Sequence, residues 1–299
     1  MGYGADVILL LACTVASSNP TGFDDAMPDW GLQSDMPVDS SLQRDDHVSF
    51  HHLKAGHDSQ LANGMLEGVL MPLDGLQGLE VTWEDEGSNT ARWGPHTLAG
   101  ETVARQLLIR WNEDDSREWW VQEDIGDGWV DVFEGTVEAG SVEGDAAGTV
   151  SAYFGDMYAD DNPGPEAGTY TADYADRDGR VTVYGEFDGV VTPQGTHTRV
   201  LWYDLDGSGA GALDYTFIDT EVVAGGGDEE VIGRARWTPE GGGRVDLEII
   251  SGDSDGFLTE CWGQQFEVVH SSSDWLETDI GTVDACPPGL QEADYNATH

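Results

Sequence analysis

A period of two takes over the chain after Leu76, and no other feature limits the fold so tightly. Val103, Arg105, Leu107, Ile109 and Trp111 alternate with Ala104, Gln106, Leu108 and Arg110. Val181, Val183, Phe187 and Val191 alternate with Thr182, Tyr184, Glu186 and Asp188; Val245, Leu247 and Ile249 alternate with Asp246 and Glu248. Such patterning gives each strand one apolar and one polar face, as in an antiparallel sheet with a single wet side. Asp127-Gly128, Asp178-Gly179, Asp206-Gly207 and Gly241-Gly242-Gly243 punctuate these runs as hairpin turns. The pattern predicts about eleven strands, mostly joined by hairpins. Forty glycines suit bulges, turns and strong curvature. No repeat of fixed length emerges, which disfavours a propeller or solenoid.

One segment ahead of the strands has a different period. Leu61, Met65, Leu66, Val69, Leu70 and Leu73 recur at helical spacing. They predict an amphipathic helix that begins between Asp46 and Asp58 and ends at Pro72. Gly64 and Gly68 form a GxxxG pattern, read as close packing on the sheet. The expected fold class is mainly β: a strongly curved antiparallel sheet or open β-barrel, with one N-terminal helix on its concave side.

The N-terminus reads as an address. Six apolar residues from Val7 to Ala12 fall far short of the roughly 20 that a spanning helix needs. They end in Leu10-Leu11-Ala12-Cys13, which resembles a lipoprotein signal whose Cys13 receives the lipid. The basic n-region of such signals is missing, since Met1 to Asp6 holds one acid and no base. The competing reading is a buried N-terminal strand. From Thr14 to about Asp46 the composition is aperiodic and broken by Pro20, Pro28 and Pro37, which predicts a disordered tether. The expected organisation is a signal peptide over 1–12 and a lipidated Cys13 with an acidic tether over 13–46. One helix-plus-β domain follows over 47–290, then a disordered tail over 291–299.

Three cysteines leave an odd thiol in an exported chain. With Cys13 acylated, Cys261 and Cys286 can pair; the alternative is two unrelated buried thiols. No CxxC spacing or ligand cluster accompanies either, so a metal pair is disfavoured. Fifty-eight acids against twelve bases give a net charge of −46. Nucleic acid and anionic lipid are therefore poor partners. A solvated acidic surface, screened by salt, accounts for the charge without a cation site.

Several strings together carry a resemblance. They are Ala91-Arg-Trp-Gly-Pro-His-Thr97, Gly148-Thr-Val-Ser-Ala-Tyr-Phe-Gly-Asp156, Gly168-Thr-Tyr-Thr-Ala-Asp-Tyr174, Gly242-Gly-Arg-Val-Asp246, Ser251-Gly252-Asp253 and Glu260-Cys-Trp262 with Phe266 and Cys286. Their order resembles a family of uncharacterised myxobacterial lipoproteins, over roughly residues 60–290. Trp93-Gly-Pro95 and the Glu260-Cys-Trp262 to Cys286 block are its specific parts. The resemblance implies secretion, a lipid anchor in the cell envelope (an outer-membrane lipoprotein, periplasmic or surface-exposed) and a disulfide. It carries over no activity, ligand or catalytic residue.

Three constellations have chemical content. His47, His51, His52 and His57 lie among Asp45, Asp46 and Asp58. On a helix, His47 and His51 at i and i+4 are spaced to share one Zn²⁺. The competing reading is an exposed polar helix start. Gly252-Asp-Ser254-Asp-Gly256 matches G-x-S-x-G, but it follows a strand and precedes another, so it reads as a hairpin loop. Asp204-Leu-Asp206-Gly-Ser208-Gly209 imitates a calcium loop whose twelfth position, Tyr215, is not an acid. A hairpin turn or a weak calcium site are the two readings. Acid pairs such as Asp160-Asp161 arise by chance in so acidic a chain.

Two functional classes follow. One is a lipid-anchored, non-enzymatic binding or scaffold protein that engages a protein or small-molecule ligand; eleven tryptophans favour contact surfaces. The other is a cell-envelope hydrolase or metal-dependent enzyme with scattered residues.

Overall fold

The computed structural model describes residues 27–28, 32–34, 36–37 and 50–292, less 86, 88, 98–101, 143–144, 157–166, 193–194, 221–228, 253 and 275–278. Among these residues one α-helix, α1 (Phe50–Gln77), precedes fifteen strands. These are β1 (Val81–Asp85), β2 (Thr90–His96), β3 (Arg105–Trp111), β4 (Arg117–Asp124), β5 (Trp129–Val137), β6 (Ala146–Tyr153), β7 (Ala167–Arg177) and β8 (Arg180–Thr192). They continue with β9 (Gly195–Leu205), β10 (Gly211–Thr220), β11 (Glu229–Trp237), β12 (Gly243–Ser251), β13 (Gly256–Trp262), β14 (Val268–Ser273) and β15 (Ile280–Gly281). Every strand pairs antiparallel with its sequence neighbours, in unbroken order from β1 to β15, and the sheet does not close. The mainly β, open architecture is the expected one. All four turn signals fall between paired strands.

The strand number exceeds the expectation because four strands lack clean alternation. β1 is exposed along four of its five residues, β2 contains Gly94-Pro95, β14 ends in three serines, and β15 has two residues. Helix α1 also runs past the expected stop. Pro72 lies inside it, and the next turn buries Leu73 and Leu76 almost completely. Burial of two leucines, worth about 1.5–3 kcal/mol each, offsets the roughly 3 kcal/mol cost of an internal proline. Gly64 and Gly68 are a correction: they lie on the exposed side of α1, and an added Cβ at either would meet nothing within 4 Å.

The helix packs on β2 and β3 and also on β10, β11 and β12. Strands seven and more places apart touch one helix only if the sheet curves round it. Ala62, Leu66, Val69, Leu70, Leu73 and Leu76 join the inward side chains of the strands in one core. Part of the presumed tether joins them: Met27, Leu32 and Met36 are buried in the same core. Asn63 binds Ser34 through both backbone groups at 2.7 and 2.8 Å, and the Tyr203 hydroxyl donates to the Leu32 carbonyl. Met27, Leu32 and Met36, too sparse to show a period, fill space that the helix leaves open.

Curvature crowds the concave face, and aromatic rings over glycines relieve it. In register across the sheet, Trp119 faces Gly135, Tyr215 faces Gly233, Trp237 faces Gly211, and Trp262 faces Gly243. Each aromatic is almost fully buried, and a Cβ at the opposite glycine would overlap its ring. The ring thus lies flat over the neighbouring backbone, where only glycine leaves room.

The convex face is polar. One register row runs Thr90, Arg110, Glu118, Thr136, Thr149, Asp173, Tyr184, Trp202, Asp214, Arg234, Asp246 and Thr259. A membrane-spanning barrel would be apolar there. Among the described residues no helix is long and apolar enough to cross a membrane.

The ring-over-glycine pairs predict a specific coupling. Gly233→Ala should cost about 1–3 kcal/mol by overpacking. In a Tyr215→Leu background, where the ring is gone, the same change should cost much less. Urea unfolding of the four proteins gives the coupling energy; a value near zero would refute the steric account.

Candidate functional sites

Glu260-Cys261-Trp262 is the densest functional string in β13, and its three residues do different work. Strand geometry turns Glu260 and Trp262 inward and Cys261 outward. The Glu260 carboxylate accepts the backbone N–H of His51, 3.2 Å away, in the first turn of α1. A carboxylate at a helix N-terminus satisfies an orphan donor and opposes the positive end of the macrodipole. Asp58, wholly buried, lies about two turns further along the helix. Burial, with the carboxylates of Asp58, Glu260 and Asp214 nearby, holds the Tyr215 hydroxyl well above its ordinary value. Trp262 donates its indole N–H to the Gly241 carbonyl at 3.0 Å.

His52 stacks on this node. Its ring lies 4.3 Å from Phe266, nearly parallel, and 5.0 Å from Trp262. Its Nε2 donates to the Pro37 carbonyl at 2.8 Å. Burial lowers its pKa against the opposing pull of that carbonyl. His51 is half-buried and His57 is exposed beside Asp58, while His47 lies outside the described residues. The structure thus sends His51, His52 and His57 to three environments. Among the described residues no three His, Cys, Asp or Glu side chains are grouped to hold an ion.

Cys261 and Cys286 form a disulfide with Cα atoms 5.3 Å apart. It fastens the C-terminal segment over the convex side of β12 and β13. Beneath lies a buried ion pair: Arg244 donates from Nε to both Asp246 oxygens at 3.0 and 2.9 Å, and from Nη2 to Oδ1 at 2.8 Å. Thr259 donates to Asp246, and Arg244 reaches the Leu290 carbonyl. Leaving either charge buried alone would cost about 3–5 kcal/mol. Ser271–Ser273 pairs with β13.

The remaining sequence candidates resolve as turns or lie outside the described residues. Asp204 accepts both ends of the Arg180 fork, and Asp206 closes the β9–β10 turn on the Ser208 amide and hydroxyl. Those Ser208 bonds hold the Asp206 carboxyl below its usual range. Tyr215 is in the core. Ser254 lies in the loop between β12 and β13, without the helix a nucleophile elbow requires. Cys13, Asp160 and Asp161 are outside the described residues.

A different site lies on the convex face of β2 to β5. Thr90, Leu108, Arg110, Trp120, Gln122 and Asp131 line an open depression of about 270 Å³. Leu108 and Trp120 face each other across β3 and β4 and form its apolar floor. Gln106 donates to Gln122 and Gln122 to Asp131, each at 2.7 Å. A bulge in β5 puts Asp131 opposite Gln122. At the other end Arg110 pairs with Glu118 and lies 5.4 Å from the Trp120 ring centre. The same register row reaches Trp83, 43% exposed, through Arg92, which lies 5.8 Å from that ring. The alternation analysis did not single out this site. Its signal was the doublets Leu107-Leu108 and Trp119-Trp120: with period two, one member of each must face out.

The inner node predicts acid sensitivity. The folded state disfavours protonated His52, so its contribution is complete above pH about 6.5 and is lost as pH falls below that value. His52→Phe keeps a stacking ring that cannot titrate. Its thermal midpoint should fall less than that of the wild type between about pH 7.5 and pH 5. Parallel curves in calorimetry would count against the assignment. Replacing both Cys261 and Cys286 by serine should cost about 2–5 kcal/mol in denaturant unfolding.

No family model matches the chain, and neither a curated protein nor a solved structure is significantly similar to it.

Proposed function

We propose that this chain is a lipid-anchored, exported binding protein of the cell envelope, and that the convex face of β1 to β5 is its non-enzymatic contact surface. The observation that carries this reading is the open depression floored by Leu108 and Trp120 and rimmed by Arg110, Gln122 and Asp131. Aromatic side chains beside a few directional polar groups make good recognition surfaces. The concave side serves a different end, since helix α1 with Met27, Leu32 and Met36 fills it. Anchoring is supported by Leu10-Leu-Ala-Cys13 and the resemblance read from Trp93-Gly-Pro95 and Glu260-Cys-Trp262, and the disulfide suits an oxidising compartment.

Two measurements test the two halves. Expressed in its host, the wild type should partition into detergent and Cys13→Ser should stay in the aqueous phase; recovery of both in the aqueous phase refutes the anchor. Hydroxyl-radical footprinting should show Trp83 and Trp120 less oxidised on isolated envelopes than in purified protein. Equal oxidation would refute the contact face.

A further inference from the structure

We infer that the ligand of the convex face is a neutral saccharide chain lying across β1 to β4; this rests on the contact-face reading above. Three properties of the site select that chemistry. The first is charge. With a net charge of −46 on the chain, and Glu118 and Asp131 beside the floor, polyanions such as nucleic acid or uronate polymers are repelled. The second is shape. At about 270 Å³ the depression is smaller than the roughly 300 Å³ at which drug-sized sites begin, and it is open. It suits one residue of a polymer better than an acyl chain or a deep apolar anchor.

The third is the hydrogen-bonding inventory. A sugar hydroxyl both donates and accepts, so its site must offer both. Asp131 supplies carboxylate oxygen, Gln122 an amide and Arg110 a guanidinium, around one indole. The apolar C–H face of a pyranose is complementary to an indole, here the Trp120 ring over which Arg110 lies, while its equatorial hydroxyls meet the rim. Trp83 extends the surface along the same register row. Three strand spacings of about 4.8 Å separate it from Trp120, roughly 14 Å in all. An extended oligosaccharide perpendicular to the strands would meet both rings, and a disaccharide only one.

The test is titration of the purified full chain with neutral gluco-, manno- and N-acetylglucosamine oligosaccharides of increasing length, with an oligouronate as the anionic arm. Affinity for at least one neutral series should rise with length. Trp120→Ala should weaken it by about tenfold or more, as loss of a central aromatic contact does. Trp83→Ala should weaken only the longer members. Should Trp120→Ala fail to fold, Asp131→Asn on the exposed rim replaces it, with a loss of several-fold expected. Binding of the oligouronate alone, binding unchanged by all these variants, or no binding of any neutral series each overturns the inference. Footprinting separates the failures. Protection of Trp120 on envelopes without saccharide binding would leave the contact face standing and remove its sugar, whereas neither signal would remove both.

Discussion

The fold depends on aromatic rings lying flat over glycine backbone. A fifteen-stranded sheet that wraps a single helix must compress its concave side, and ordinary side chains on neighbouring strands would collide there. Trp119, Tyr215, Trp237 and Trp262 each take the room of two residues by covering a glycine across the ladder. The glycine costs conformational entropy, about 0.5–1 kcal/mol relative to alanine, and the ring offsets this by burial. Three of these four pairs lie in β9 to β13, where the helix also packs. The tightest interior is therefore where the helix is held.

The two faces of β12 and β13 divide labour. Inward, Glu260 and Trp262 organise the start of α1. Outward, Cys261, Arg244, Asp246 and Thr259 form a second, smaller buried cluster under the C-terminal segment. A sheet whose convex side is otherwise wet has here a local three-layer structure. This explains how Arg244 and Asp246, two apart on β12, are almost completely shielded while Arg110 and Glu118, a cross-strand pair at the other end, stay solvated. The same interaction is thus strong at one place and, at an exposed surface, worth less than about 1 kcal/mol at the other.

Legibility in the sequence followed the strength of each local signal. The alternation of β3, β8 and β12 and the Asp-Gly turns identified an open antiparallel meander because period and turn chemistry agree. Pro72 misled because a proline's cost is local while the burial of Leu73 and Leu76 is tertiary. Residues 27–36 misled because isolated Met27, Leu32 and Met36 carry no period, and only the shape of the cavity explains them. The pairing of Cys261 with Cys286 was legible from counting. The histidine cluster was not, since proximity in sequence says little about direction: on one helix His51 and His52 point about 100° apart. The convex depression was legible only in the Leu107-Leu108 and Trp119-Trp120 doublets, which alternation cannot bury whole.

The cap on α1 comes from a residue 209 positions downstream. Helix α1, made ahead of every described strand, therefore lacks its stabilising carboxylate until β13 exists. Its apolar stripe meets β2 and β3 early but β10 to β12 only late. The ladder can grow hairpin by hairpin, but the helix is enclosed and capped only when β10 to β13 have formed. Such long-range closure slows folding.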